Sequence, residues 1–215
     1  MPAGRRTAAG RTDHAMNTAA ANAWETCAHE FLAARDGSTI GARIVHDWAR
    51  SLAPGTDVLE IGCGGGLPVS RVLVDAGLEL WAVDSSPTLV SAFTTRFPQI
   101  PVDCSCATQS RFFARRFSGV IAIGVLFLLE PAAQAALIER VAGLLRPSGR
   151  FLFSAPAEAG RWADRTTGHG CESLGRARYT KLLEAAGLRV LAMPEDEGGN
   201  HHYAATKVGV APPDA

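Results

Sequence analysis

The sequence predicts an open, doubly wound α/β sheet. Short apolar runs alternate with segments of helical period along most of the chain, which is the pattern of strands joined by crossover helices. The first such run breaks into a cluster of glycines that opens a helix, as happens where a sheet binds a ligand at its carboxyl edge. A later run, Gly119 to Leu128, is apolar almost without interruption, as expected of a central parallel strand buried on both faces.

The elements follow in order. Met1 to about Asn17 is rich in Ala, Gly, Arg and Thr without apolar periodicity and is expected to be a disordered tail, leaving one domain over 18–215. Within it, Trp24, Phe31, Leu32, Ile40, Ile44, Val45, Trp48 and Leu52 fall mostly at helical spacing. The turn Asp36-Gly37-Ser38-Thr39 divides this region, 19–52, into two helices, with Ser38 or Thr39 capping the second. The core, 53–208, opens with the strand Asp57–Ile61, the turn Gly62–Gly66 and a helix from Leu67 to Ala76. Leu78–Val83 is the second strand, and Ser86-Pro87 opens a helix to about Phe97. Pro101–Cys106 is a third strand, Gly119–Leu128 the fourth, and Pro131–Leu145 its crossover helix. Arg150–Ser154 is the fifth, followed by an irregular polar segment over Ala155–Gly175. A helix over Arg176–Ala186 precedes two closing strands, Arg189–Met193 and His202–Val208.

Composition narrows the function. Twenty-one basic residues balance 21 acidic ones, so no net field favours nucleic acid phosphates or an anionic membrane surface, and a small-molecule partner fits better. The longest apolar run is far short of the ~20 residues that cross a bilayer, and the start has no apolar stretch of a secretory signal; a cytoplasmic location is expected. Five scattered cysteines suit reduced thiols. No metal site is expected at Cys104 and Cys106.

The glycine turn carries the chemistry. Gly62, Gly64, Gly65 and Gly66 remove the Cβ atoms that would block close approach of a ligand. A dinucleotide fingerprint is absent, because its third glycine falls on Leu67 counted from Gly62 and on Val69 counted from Gly64. No Gly-Lys-Ser or Gly-Lys-Thr triplet makes a Walker loop. Glu60, two residues before the first glycine, is expected to place a carboxylate inside the pocket mouth, where an anionic pyrophosphate is repelled and a cationic sulfonium or ammonium tolerated. Asp84, at the tip of the second strand, is placed to accept hydrogen bonds from the hydroxyls of a ribose. Its other reading is a helix N-cap.

Val58-Leu59-Glu60-Ile61-Gly62-Cys63-Gly64-Gly65-Gly66 resembles the first motif of class I S-adenosylmethionine-dependent methyltransferases of the small-molecule type, and Ala82-Val83-Asp84-Ser85-Ser86 resembles the second. The similarity spans about Glu30 to Val208. It implies a Rossmann-like, mostly parallel seven-stranded sheet with an antiparallel last strand, and S-adenosylmethionine as cofactor. It also implies that Gly62, Cys63, Gly64 and Gly66 hold the methionine portion and that Ser85 lies beside the adenine. Cys106-Ala107 stands where the family often has Asp-Ala at the adenine amino group, which leaves that contact partly to backbone. Gly124-Val125-Leu126-Phe127-Leu128 resembles the fourth-strand motif, so Gly124 and Val125 are expected to line the floor between cofactor and acceptor. In related enzymes the amino-terminal helices close over the cofactor, which makes Phe31 and Arg35 candidates; Arg35 would pair with the cofactor carboxylate.

Methyl transfer needs alignment and exclusion of water, and a general base only where the acceptor must lose a proton. His201 and His202 start the last strand and face opposite ways; His201 is the expected base, and His202 and Tyr203 are acceptor-side candidates. Glu158 to Glu172 is a candidate lid, with Trp162 as its acceptor-lining aromatic. The acid-rich tract Glu195–Asn200 reads as a hairpin loop, normally a solvated turn; its other reading is a border of the acceptor entrance. Three other readings stay open: methylation of RNA or protein, a cofactor-binding module without turnover, and a nicotinamide-dependent oxidoreductase, which the glycine spacing disfavours. Acceptor identity and oligomeric state are not encoded in any motif.

Overall fold

The structure is a computed structural model that describes residues 24–209; the expected tail over 1–17 lies outside the described residues. Helix α1 (Ala28–Asp36) and α2 (Ala42–Ala49) precede β1 (Asp57–Ile61). They are followed by α3 (Val69–Asp75), β2 (Glu79–Asp84), α4 (Pro87–Arg96), β3 (Val102–Cys104) and β4 (Phe117–Ala122). Then come α5 (Pro131–Leu144), β5 (Leu145–Ser154), β6 (Ala159–Ala163) and β7 (Gly170–Leu174). The chain closes with α6 (Arg176–Ala185), β8 (Leu188–Ala192) and β9 (His202–Lys207).

Seven strands form one sheet in the order β3-β2-β1-β4-β5-β9-β8. The pairs from β3 through β5 are parallel, and β9 runs antiparallel to both of its neighbours. The order reverses between β1 and β4, so the loops leaving their carboxyl ends diverge and open a crevice there. Every residue of β1 is buried, because helices cover both faces. Gly119 of β4 shows how closely: an added Cβ would lie 3.0 Å from the ring of Trp48 on α2 and 3.1 Å from Leu52 and Val58.

Four expectations are corrected. The second helix is not capped by Ser38 or Thr39. Gly41 holds the cap position at φ 82° and donates its N–H to the distant Glu197 carboxylate at 3.1 Å, while Ser38 Oγ accepts from Ile40 in the preceding turn. The fourth strand stops at Ala122, because Gly124 turns the chain out of the sheet and gives its N–H to Ser154 Oγ at 2.8 Å; Leu126–Leu128 is a 3-10 turn. The polar segment after β5 is ordered as the β6–β7 hairpin, pairing Trp162 with Cys171 and Arg161 with Glu172. Only one side of that hairpin packs, so it has no apolar run to announce it. The tract Glu195–Asn200 is not merely a solvated turn, since Asp196 is buried.

Beneath β5 and β9 lies an aromatic cluster in which Phe153 stacks on Tyr203 at 4.8 Å and Tyr179 meets both edge-on. Tyr179 Oη donates to Gln134 Oε1 at 2.6 Å, and the buried Tyr203 hydroxyl has no partner. Among the described residues no helix is long and apolar enough to cross a membrane. An unmade buried hydrogen bond costs on the order of 1–3 kcal/mol, whereas losing one partner of a made bond leaves the other unsatisfied. Tyr203→Phe is therefore expected to leave stability unchanged or raise it by about 1 kcal/mol, and Tyr179→Phe to lower it by a similar amount. Urea denaturation of the two variants checks this, and the reverse order would show that the hydroxyls are misassigned.

Candidate active site

The chain reverses sharply after β1, and three backbone donors tie the turn to β2. The Gly62 and Cys63 N–H groups both reach the Val83 carbonyl, at 2.7 and 3.1 Å, and the Gly64 N–H reaches Asp84 Oδ2 at 2.8 Å. The other Asp84 oxygen accepts the Ser86 N–H at 3.0 Å. A carboxylate offers about four lone-pair directions, and these backbone donors leave room for a ligand. Burial pushes the Asp84 carboxyl up, and the backbone donors of Ser86, Gly64 and Ser85 oppose that. Gly64 sits at φ 55°, a conformation open to glycine and costly for other residues.

A cavity of about 550 Å³ opens over this turn. A Cβ on Gly62 would lie 2.3 Å from Val125, and one on Gly64 3.0 Å from the Phe31 ring, so both glycines are needed for the walls to meet. Phe31 and Arg35 cover the turn from α1, Ser85, Cys106 and Ala107 close the side toward β3, and Gly124 and Val125 form the floor. Trp162, His201 and His202 line the far end. These expected residues do come together. Burial lowers the Arg35 guanidinium's pKa and the Asp196 carboxylate supports its charge. Cys106 Sγ lies 3.3 Å from Thr108 Oγ1.

Glu60, Cys63, Gly66 and Tyr203 lie behind the cavity wall instead. Glu60 points under the turn, not into its mouth: it is buried and accepts the Ser70 hydroxyl at 2.6 Å, bracing the start of α3. Burial pushes its carboxyl up to about 8, against the Ser70 hydrogen bond and with the Asp84 charge adding to the rise. Cys63 is buried in the core shared with α3, Gly66 abuts the Phe97 ring, and Tyr203 belongs to the aromatic cluster. Strand parity and local packing place them there. His201 is half-buried, with Nε2 3.7 Å from Glu195.

Several site residues carried no readable signal. Glu25 accepts from the Ser86 hydroxyl and, at 2.6 Å, from the Thr88 hydroxyl, clamping the amino-terminal segment to the start of α4. The Ser86 and Thr88 hydrogen bonds lower the Glu25 carboxyl's pKa. Trp24 meets Phe31 edge-on at 5.1 Å and Phe127 packs on Trp162 at 5.5 Å, both pairs at the cavity. Asp196 and Ser154 also line it. Helical spacing marked Trp24 as apolar but not where it packs, and Glu25 and Asp196 differ in nothing local from solvated acids. Among the described residues no group of three or more His, Cys, Asp or Glu could hold a metal ion.

Comparison with known proteins places this geometry. The profile of the family described as "Methyltransferase domain" matches residues 31–193. The chain belongs to this methyltransferase family. It is 31% identical over 160 residues to a ubiquinone biosynthesis O-methyltransferase of Xanthomonas campestris, a match covering 72% of this chain and 58% of that protein. The chain thus spans little more than half the length of this curated relative. In fold it resembles the Burkholderia thailandensis 1,6-didemethyltoxoflavin-N1-methyltransferase, solved with its acceptor and S-adenosylhomocysteine, at a TM-score of 0.74 and 18% identity over 97% of this chain and 93% of that one. It also resembles the Synechocystis magnesium protoporphyrin IX methyltransferase with bound S-adenosylmethionine, at 0.63 and 19% over 77% of each chain. The family cofactor fits the residues present: the glycine cradle leaves room no Cβ would, Asp84 keeps acceptor positions, and Arg35 supplies a cation.

Because Glu60 binds its proton more tightly folded than unfolded, its contribution to stability is complete below about pH 4.5 and is lost as pH rises through about 8. Glu60→Gln should flatten that decline and equal or exceed the wild-type melting temperature at alkaline pH. Thermal denaturation of both proteins across this range checks it; a variant that loses stability relative to wild type as pH rises would mean Glu60 is ionised when folded.

Proposed function

We infer that this chain transfers the methyl group of S-adenosylmethionine to a small, ring-containing acceptor. The observation that carries the reading is the pairing of Asp84 with the Gly64 turn at the mouth of the cavity: a carboxylate held by backbone donors and lining the space where a ribose would offer hydroxyls. Gly62, Gly64, Asp84 and Ser85, with Arg35 from α1, would hold the cofactor, and Cys106, Ala107, Gly124 and Val125 would complete its pocket.

When bound, the cofactor supplies a methyl on a sulfonium sulfur, whose departure needs no further activation. What the chain adds is position and dryness. Trp24 and Phe31 cover one side, Trp162 and Phe127 the other, and Cys27 Sγ reaches the Thr166 carbonyl at 3.6 Å where the two covers meet. The flat faces of Trp162 and Phe127 suit a planar acceptor. The named activities of two relatives, O-methylation in ubiquinone biosynthesis and N1-methylation of didemethyltoxoflavin, support an acceptor of that kind. The even balance of basic and acidic residues speaks against a nucleic acid acceptor.

Calorimetric titration with S-adenosylmethionine, S-adenosylhomocysteine and NAD tests the reading: the first two are expected to bind in the micromolar range and NAD not at all. NAD binding alone would refute it. Asp84→Ala should weaken binding of the first two by about 1.5–3 kcal/mol, the worth of hydrogen bonds to a charged group. Unchanged affinity would remove Asp84 from the site.

A further inference from the structure

The segment that carries α1 packs against α4 and is fastened to it at both ends. At the start of α4, Glu25 accepts the Thr88 hydroxyl at 2.6 Å and the Ser86 hydroxyl. At its end, the Arg96 guanidinium closes a second clasp. Its Nη2 donates to Asp36 Oδ2 at 2.6 Å and its Nη1 to the Gly65 carbonyl at 2.9 Å. One planar group thus joins three elements: α4, which carries it, the last residue of α1, and the glycine turn. Apolar packing adds little to the hold, since Ala28 is the buried residue that α1 supplies.

The helical period shows what the clasp controls. Residues four apart share a helix face, so Leu32 and Asp36 form one face of α1, and Phe31 and Arg35 the next. The first face meets the body of the protein: a Cβ on Gly65 would lie 2.3 Å from Leu32 Cδ2 and 2.9 Å from Arg96 Nη1, so α1 and Arg96 both close on this residue. The second face meets the ligand space, where the Phe31 ring covers Gly64 and Arg35 lines the cavity. Among the described residues none forms a hydrogen bond with the Arg35 guanidinium, and the Asp196 carboxylate supports its charge. Fixing the first face fixes the rotation of α1 about its axis, and with it the aim of Arg35.

We propose that Arg96, by gripping Gly65 and Asp36 together, is a positioning residue for the amino-acid end of the cofactor: it seats α1 on the glycine turn so that Arg35 reaches the cofactor carboxylate. The inference rests on the methyl-transfer reading above and deepens it. Arg96 does not line the cavity itself, so it acts through Arg35. An ordinary surface ion pair would contribute little, because the Arg96 and Asp36 side chains are 26% and 42% exposed. The second arm makes the difference. The guanidinium plane sets the spacing between the Gly65 carbonyl and Asp36, which an ammonium on a flexible stem would leave loose.

Calorimetric titration of the full-length protein with S-adenosylhomocysteine and with methylthioadenosine tests the proposal. The two share the nucleoside and the thioether sulfur, and only the first carries the amino-acid end. Wild type should prefer S-adenosylhomocysteine by at least about tenfold, as expected for a charge-assisted contact. Arg96→Gln and, as a second variant on the exposed side of the clasp, Asp36→Ala should each weaken S-adenosylhomocysteine by about three- to tenfold and leave methylthioadenosine within about twofold of wild type. Arg35→Gln should show the same split, and adding Arg96→Gln to it should change little further, because both act on one contact. Arg96→Lys, which keeps the charge without the fork, should fall between wild type and Arg96→Gln. Equal weakening of both ligands would make the clasp a support of the whole turn and overturn the proposal. So would a preference unchanged in both Arg96→Gln and Asp36→Ala. A wild type that binds the two ligands alike removes the Arg35 contact and the proposal with it, and spares the cofactor assignment. A wild type that binds no S-adenosylhomocysteine refutes the methyl-transfer reading itself.

Discussion

The hydrogen bond from the Gly64 amide to the Asp84 carboxylate joins the two strand ends on which the cavity depends. β1 and β2 are parallel neighbours, and their ladder alone would leave the glycine turn free to move over the sheet edge. Asp84 gives one oxygen to the turn and the other to the start of α4, so strand, turn and helix share one carboxylate. The same group faces the cavity, which makes the scaffold and the ligand contact inseparable there. Its burial raises the energy of the ionised form, and the backbone donors offset only part of that. A ribose would supply further donors to a charge already desolvated, where hydrogen bonds are strongest.

The floor and the covers follow from that edge. β4 leaves the sheet at Gly124, one turn earlier than its apolar run suggests, and the released backbone bonds to Ser154 on β5. Val125 then sits against the space above Gly62. The covers come from regions far apart in the chain. Glu25 fastens the amino-terminal segment to α4, while the β6–β7 hairpin carries Trp162 in from the other side onto Phe127. The floor and the covers of the cavity are thus both held by contacts between residues distant in the chain.

The ligand-facing groups fall into two sets of different chemistry. Around the glycine turn the polar groups are backbone amides and a carboxylate, fit for hydroxyl and ammonium donors. At the far end they are His201, His202 and Asp164 beside flat aromatic faces. The first set is local in sequence, built from β1, β2 and the turns that follow them. The second is assembled from the hairpin, the 194–202 loop and the start of β9, elements that meet only because β9 inserts antiparallel between β5 and β8.

By itself the sequence determined the alternation of strands and helices, the buried central strand, and the glycine turn with its acid at the next strand tip, because each is a local pattern of period, backbone freedom or spacing. It also marked Phe31, Arg35, Gly124, Val125 and Trp162, which do line the cavity. Only the tertiary structure decided what each acid does. Glu60, Glu25 and Asp196 are all carboxylates, yet one braces a helix from below, one clamps the amino-terminal segment and one holds a histidine. Burial and partners set those roles, and both are contributed by residues distant in the chain, so no local pattern could record them.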